Sequence, residues 1–305
     1  MAEPIADAWS LSRCPSCGAV ITQPPQRLSH TCRYCASALV EADRGRVEVD
    51  KVAPFRLPAA AALMRLHEHL ASRLWAPQRL RRAARDGRVD TQLVEGVLVP
   101  FYAYDATCRS RYETKVGVRW SETKRVIKDG KEVREVQQHT EWFPLRGTAV
   151  ARLHDHLVSA SVGLSAADVA GLQPFDLGRA RPFDARLLAG WPAELPSRER
   201  YQTDADALAQ LRAQEMARIE REHLPGDTHR GTRISCQVQL AEAQLVLLPV
   251  WVAVLRYGGR VHRLVVNGQT GRCHGRAPVS PTKVALAVLA VAIVVGLVVA
   301  WRLSS

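Results

Sequence analysis

Leu245-Val246-Leu247-Leu248-Pro249-Val250-Trp251-Val252-Ala253-Val254 runs through Tyr257-Gly258-Gly259-Arg260 into residues 261–266, and its reading decides the fold class. Successive strand side chains point to opposite faces, so an apolar run without alternation needs cover on both sides; it predicts a buried strand pair. Upstream, Val97-Leu98-Val99-Pro100-Phe101-Tyr102 repeats the apolar-Pro-aromatic texture of residues 247–252, and each block leads into a basic, aromatic strand. This parallel points to a divergent internal duplication.

Outward from these blocks, residues 120–128 and 132–142 flank Asp129-Gly130, a pair that accepts positive φ and favours a tight hairpin. The charged, polar arms predict a ribbon projecting into solvent. Thr203-Asp204-Ala205-Asp206 reads as a capping box opening a polar, Ala-rich surface helix of about five turns that ends before Pro225-Gly226. Residues 55–87 are rich in Ala, Leu and Arg, with Pro58 placed to start a helix and Pro77 interrupting the pattern, so two short helices are expected. The fold class is therefore α+β: a mainly antiparallel β body with flanking helices over residues 55–277.

The two ends differ from this body. Residues 284–301 hold no charge, no polar side chain and no Pro, between Lys283 and Arg302. At 1.5 Å per residue they would rise about 27 Å, close to the thickness of bilayer hydrocarbon. Residues 278–305 are thus read as a single transmembrane helix with a short tail; Ala292 and Gly296 form a small-xxx-small pair. Arg260, Arg263, Arg272, Arg276 and Lys283 precede the run and Arg302 follows it. That bias predicts a cytoplasmic body on the cytoplasmic membrane, and the opening residues, with Glu3 and Asp7, carry no secretory pattern.

At the other end, Cys14-Pro15-Ser16-Cys17 and Cys32-Arg33-Tyr34-Cys35 give C-x2-C-x14-C-x2-C, the spacing of a tetrahedral four-thiolate zinc site. Four thiolates leave no open position for a substrate or water, so the expected Zn2+ is single and structural; His30 is superfluous to it. Residues 1–40 form the expected zinc ribbon, and the charged residues 41–54 read as a linker that would leave it a mobile appendage. Cys108, Cys236 and Cys273 stand alone and read as buried structural thiols rather than a disulfide framework.

A net charge of +12 and a pI near 9.8 favour nucleic acid, anionic lipid or an acidic protein as partner. The densest basic run contains Arg79, Arg81, Arg82 and Arg85, which is either a solvated helix face or a contact for phosphate or lipid headgroups. His67-Glu68-His69 lacks the one-turn spacing of a zinc-protease motif and reads as surface, as does His154-Asp155-His156. There is no G-x-x-x-x-G-K-[ST] loop, G-x-S-x-G elbow or G-x-G-x-x-G turn, so a non-enzymatic role is expected. An enzyme would need dispersed groups such as Asp105, Asp176 and Asp227 to converge.

The ribbon, Val99-Pro100-Phe101-Tyr102 with Tyr104-Asp105, Pro225-Gly226-Asp227, Leu248-Pro249-Val250-Trp251 and Val266-Asn267-Gly268-Gln269-Thr270-Gly271 together carry a resemblance. Over essentially its whole length the chain resembles bacterial TFIIB-type zinc-ribbon proteins with a C-terminal span, often labelled primosomal-helicase-like. The resemblance implies a membrane-bound partner of flotillin-like or phage-shock-type envelope proteins. The leading expectation is a membrane-anchored zinc-ribbon adaptor; the alternative is a membrane-tethered nucleic-acid-binding replication accessory.

Overall fold

The computed structural model describes residues 48–89, 91–128 and 131–304, with the short segments 10–13, 20–23, 27–31 and 38–40 before them. In chain order the elements begin with β1 (Ser10–Arg13), β2 (Val20–Gln23), β3 (Arg27–Thr31), β4 (Ala38–Val40), β5 (Lys51–Val52), α1 (Ala59–Ser72) and α2 (Gln78–Arg85). Two long strands follow, β6 (Thr91–Lys128) and β7 (Lys131–Ser159), then α3 (Ala166–Leu172), β8 (Arg181–Pro182), β9 (Ala193–Glu194) and α4 (Arg200–His223). The chain ends with β10 (Thr228–Leu240), β11 (Gln244–Tyr257), β12 (Arg260–Asn267), β13 (Cys273–Gly275) and α5 (Pro281–Ser304). The class is α+β with a mostly antiparallel sheet, as the apolar runs and turn residues predict.

The contacts form two compact units rather than one body over residues 55–277. The first comprises Met1–Phe101, Ser159–Arg198 and Leu245–Ser305, the second Tyr102–Val158 and Glu199–Gln244. In the first, β11 lies inside a sheet of order β13-β12-β11-β6-β9-β3-β4. β11 and β12 pair antiparallel down to Tyr257 opposite Arg260. The loop between them is Gly258 and Gly259 at φ 58° and 74°, the positive pair that a type I′ turn requires. Residues 245–251 are buried without interruption.

Helices α1 and α2 cover this sheet. Leu66 and Leu70 of α1 and Leu80 and Ala84 of α2 pack with Trp251, Ala253, Leu255, Leu264 and Val266. Pro58 and Pro77 stand immediately before the two helices, at φ −70° and −55°, where a missing N–H removes no helical hydrogen bond. Phe55 stacks on Trp191 at 4.0 Å and meets Trp251 edge-on at 5.0 Å. The rings close over Gly96, where a Cβ would fall 2.7 Å from Trp191, so this strand position admits no side chain without a shift.

Two readings of the N-terminal region need correction. Residues 41–54 are not simply a linker, because Lys51 and Val52 form β5, paired parallel to β11 at Val246 and Leu247. Val52 is buried with Leu98, Leu188, Ala193 and Leu247, and the Asp50 carboxylate accepts the Leu245 N–H at 2.6 Å. A two-residue strand is too short to show a period, so the surrounding charges dominate the sequence pattern. Nor is the N-terminal region tethered only by its chain: β3 pairs antiparallel with β9, and Ser29 Oγ donates to the Trp191 carbonyl at 2.7 Å.

In the second unit, β6 is flanked by β7 and β10, with Leu240 opposite Ala106 and Thr228 opposite Gly117. Helix α4 buries Thr203, Ala207, Leu211, Glu215 and Ile219, every fourth residue, so one narrow face is packed and the rest is solvated. Ala207 and Leu211 join Tyr104, Ala106, Val158 and Ala243 in the unit's core. The predicted capping box is misplaced: α4 starts at Arg200, capped reciprocally by Glu199 and Gln202. Thr203 turns inward instead, its hydroxyl donating to the Arg200 carbonyl and lying 2.9 Å from the Tyr104 hydroxyl.

Candidate functional site

Helix α5 contains one stretch, Pro281–Val299, apolar enough to cross a membrane, with a mean hydropathy of 2.6 and none of it buried. A core helix of that composition would be covered; here Leu286, Val291 and Leu297 are 65%, 63% and 66% exposed. The stretch would rise about 28 Å, near the ~30 Å of bilayer hydrocarbon.

The root of α5 is fixed to the turn between α1 and α2. The Ser280 N–H donates to the Trp75 carbonyl at 2.8 Å. Lys283 Nζ donates to the carbonyls of Leu74 at 2.6 Å and Ala76 at 2.8 Å. The turn therefore sits within about one helical turn, ~5 Å, of the start of the apolar stretch. It leaves Leu74 73% and Trp75 51% exposed, with Val279 exposed just before the bonded Ser280.

Beside this root opens a groove of about 810 Å³ lined by Arg260, Arg263, Arg276, His262, His274 and Asp168. Asp168 closes the α3 capping box with Ser165 and pairs with Arg263 at 2.9 Å; Arg263 also donates to the Gly163 carbonyl. Arg260 and Arg276 make no ion pair among the described residues, so the groove presents net positive charge.

The basic run divides by role. Arg81 is half-buried and its Nε donates to the Ala71 carbonyl at 3.0 Å, which ties α2 to α1. Arg79, Arg82 and Arg85 recur every third residue on the exposed face.

Cys14, Cys17, Cys32 and Cys35 lie outside the described residues. β1 pairs with β2 and β3 with β4, and in sequence each C-x2-C pair falls between the two strands of one of these hairpins. Among the described residues no group of three or more His, Cys, Asp or Glu could hold a metal ion.

Most of the other singled-out groups are engaged locally, except His67, whose buried Nε2 has no hydrogen-bond partner among the described residues. His67 and His69 are half-buried rather than surface residues; burial, then Arg73 and His274, push His69 down to about 4. His154 faces Asp105 at 3.4 Å, whereas His156 meets Gln210 at 3.2 Å, the strand alternation being broken by Asp155 at φ 56°. Burial lowers the His156 pKa. Asp105 accepts the Asp155 N–H, and Asp227 accepts the Arg119 N–H. Asp105 and Arg119, both on β6, are separated by about 45 Å of extended strand, which keeps Asp105 and Asp227 apart. In the first unit Asp176 donates its N–H to Gln269 Oε1 and pairs with Arg179. Burial pushes Cys108 up to about 11 and Cys273 to about 12, which keeps both as inert thiols at neutral pH.

Asn267, from the segment 266–271, is fully buried. Its amide donates to the carbonyls of Leu172 and Pro174, and its Oδ1 accepts from the N–H groups of Gln269 and Thr270. The segment is a structural lock.

Past Gly117 the second unit extends as a two-stranded arm, β6 with β7, on either side of Asp129-Gly130, a pair outside the described residues. Trp120 stacks on His139 at 4.6 Å and Glu113 pairs with Arg146, contacts symmetric in sequence about that pair. Exposed along or beside the arm are Trp120, Ile127, Val136 and Phe143, with Arg230 over the Trp142 ring at 5.0 Å. Residues 118–142 hold six Lys or Arg against five Asp or Glu, so the arm is nearly neutral.

Sequence reasoning missed the exposed pair Leu74-Trp75; its signal is two large apolar residues in a turn otherwise made of Arg, Ala and Pro. No family model, curated protein or solved structure matches the chain.

Proposed function

We propose that this chain is a membrane-anchored, non-enzymatic adaptor that displays protein-binding elements on the cytoplasmic side of the cytoplasmic membrane. The observation that carries the reading is α5, a long helix with an apolar surface that nothing among the described residues covers. Lipid supplies the missing cover, and the five basic residues before the span against one after it orient the body inward. The projecting arm, with exposed aromatic and aliphatic side chains among balanced charges, suits a protein surface better than a phosphate backbone, which needs net positive charge. A structural Zn2+ held by Cys14, Cys17, Cys32 and Cys35 would supply a second display element. By resemblance, flotillin-like or phage-shock-type envelope proteins are the first partners to seek.

The test is crosslinking capture of the full chain from membranes, with and without nuclease, beside a Cys14→Ser/Cys32→Ser variant. Nuclease-resistant, ribbon-dependent recovery of an envelope protein supports the adaptor; nuclease-sensitive recovery of replication proteins refutes it. That second outcome would favour a nucleic-acid-binding accessory, the reading that the exposed face of Arg79, Arg82 and Arg85 and the +12 charge support.

A further inference from the structure

We infer that the turn between α1 and α2 is a second membrane contact, in which Leu74 and Trp75 enter the headgroup–acyl boundary of the bilayer that α5 crosses. This rests on the reading of α5 as a span. Three observations place the turn there.

The first is depth. The bonds from Ser280 to Trp75 and from Lys283 to Leu74 and Ala76 hold the turn level with the first residues of the apolar stretch. If that stretch fills the hydrocarbon, the turn lies at its edge.

The second is exposure. Leu74 and Trp75 are 73% and 51% exposed, although α1 and α2 bury their other face against the sheet. A Trp is suited to this depth, because its ring is apolar and its N–H can meet headgroups. Trp301 stands exposed at the far end of α5, so with Trp75 on the turn an aromatic residue would stand at each boundary.

The third is charge. Arg73 and Arg79 flank the exposed pair, and Arg276 opens the groove beside the root of α5. All three would lie where anionic phosphates line the cytoplasmic leaflet, each residue adding electrostatic attraction. Lys283 staples the turn to the helix, its ammonium held by two carbonyls. Two contacts joined this way would stop the first unit from swivelling on α5 and fix its orientation against the membrane.

The experiment reconstitutes the full-length protein in phosphatidylethanolamine–phosphatidylglycerol vesicles containing a phospholipid with a diazirine near the top of one acyl chain. After irradiation, tryptic peptides are mapped: residues 74–79 report the turn and residues 284–302 the span. Labelling of both peptides is expected, with the Leu74→Glu/Trp75→Glu variant losing at least tenfold on the turn peptide while the span peptide stays unchanged. A labelled span with an unlabelled turn, or a variant labelled as strongly as the wild type, overturns the inference and leaves the anchor standing. Absence of label from both peptides refutes the anchor, and the inference with it.

Discussion

Helices α4 and α5 are equal in length, 24 residues each, and opposite in every other respect. α4 is polar over most of its surface, yet its five stripe residues are buried. α5 is apolar throughout its central stretch and buries none of it. Hydrophobicity alone therefore does not place a helix in the core; the available partner does. α4 finds its partner in the sheet of the second unit, whereas the apolar stretch of α5 has no cover among the described residues.

The largest effect should come from charge in α5. Leu289→Arg with Val294→Arg adds two guanidinium groups near the middle of the span, at about 5–7 kcal/mol together on an insertion scale. The variant should move from the membrane pellet to the soluble or degraded fraction, while the same pair of charges on exposed positions of α4 leaves the distribution unchanged.

Next comes the stripe of α4. Leu211 is fully buried, so Leu211→Ala should destabilise the second unit by about 2–5 kcal/mol. Hydrogen exchange of α4 should accelerate accordingly, while exchange in β11 and β12 stays as it is. Equal acceleration in both would show the two units unfolding together.

A smaller, pH-dependent effect belongs to Glu215. Its carboxylate is buried and held by Arg218 at 2.7 and 2.8 Å and by the Ser110 hydroxyl at 3.1 Å. The Arg218 hydrogen bonds hold its pKa below the ordinary value, against the opposing effect of burial. A depressed carboxylate stabilises above its unfolded pKa, about 4.3, and loses that contribution as pH falls through the folded value. The urea midpoint of the second unit should therefore drop between pH 6 and pH 3, and Glu215→Gln should flatten that part of the profile.

The smallest contrast lies within the basic run. Arg81→Ala removes a bond between α2 and α1 and should cost about 1 kcal/mol. Arg82→Ala, on the exposed face, should stay within about 0.5 kcal/mol. Thermal unfolding of the two variants separates the structural arginine from its neighbours.

Legibility from sequence followed the range of the interactions. The Gly258-Gly259 turn, the helix starts after Pro58 and Pro77, the arm about Asp129-Gly130 and the apolar stretch of α5 all depend on neighbours in sequence. What escaped depends on distant partners. β5 exists because β11 offers it a parallel edge nearly 200 residues away, and Thr203 faces inward because Tyr104 waits across the unit. At the candidate site Lys283 was legible as the flank of an apolar run. Its bonds to Leu74 and Ala76, which make the turn part of the root of α5, were not.

The most direct test of the account is alkaline-carbonate extraction of wild-type membranes, followed by protease treatment of inside-out vesicles. The chain should stay in the pellet, protease should cut the arm at residues 118–142, and a fragment covering residues 284–301 should be protected. Release of the intact chain by carbonate, or an arm that protease cannot reach in these vesicles, would contradict the account.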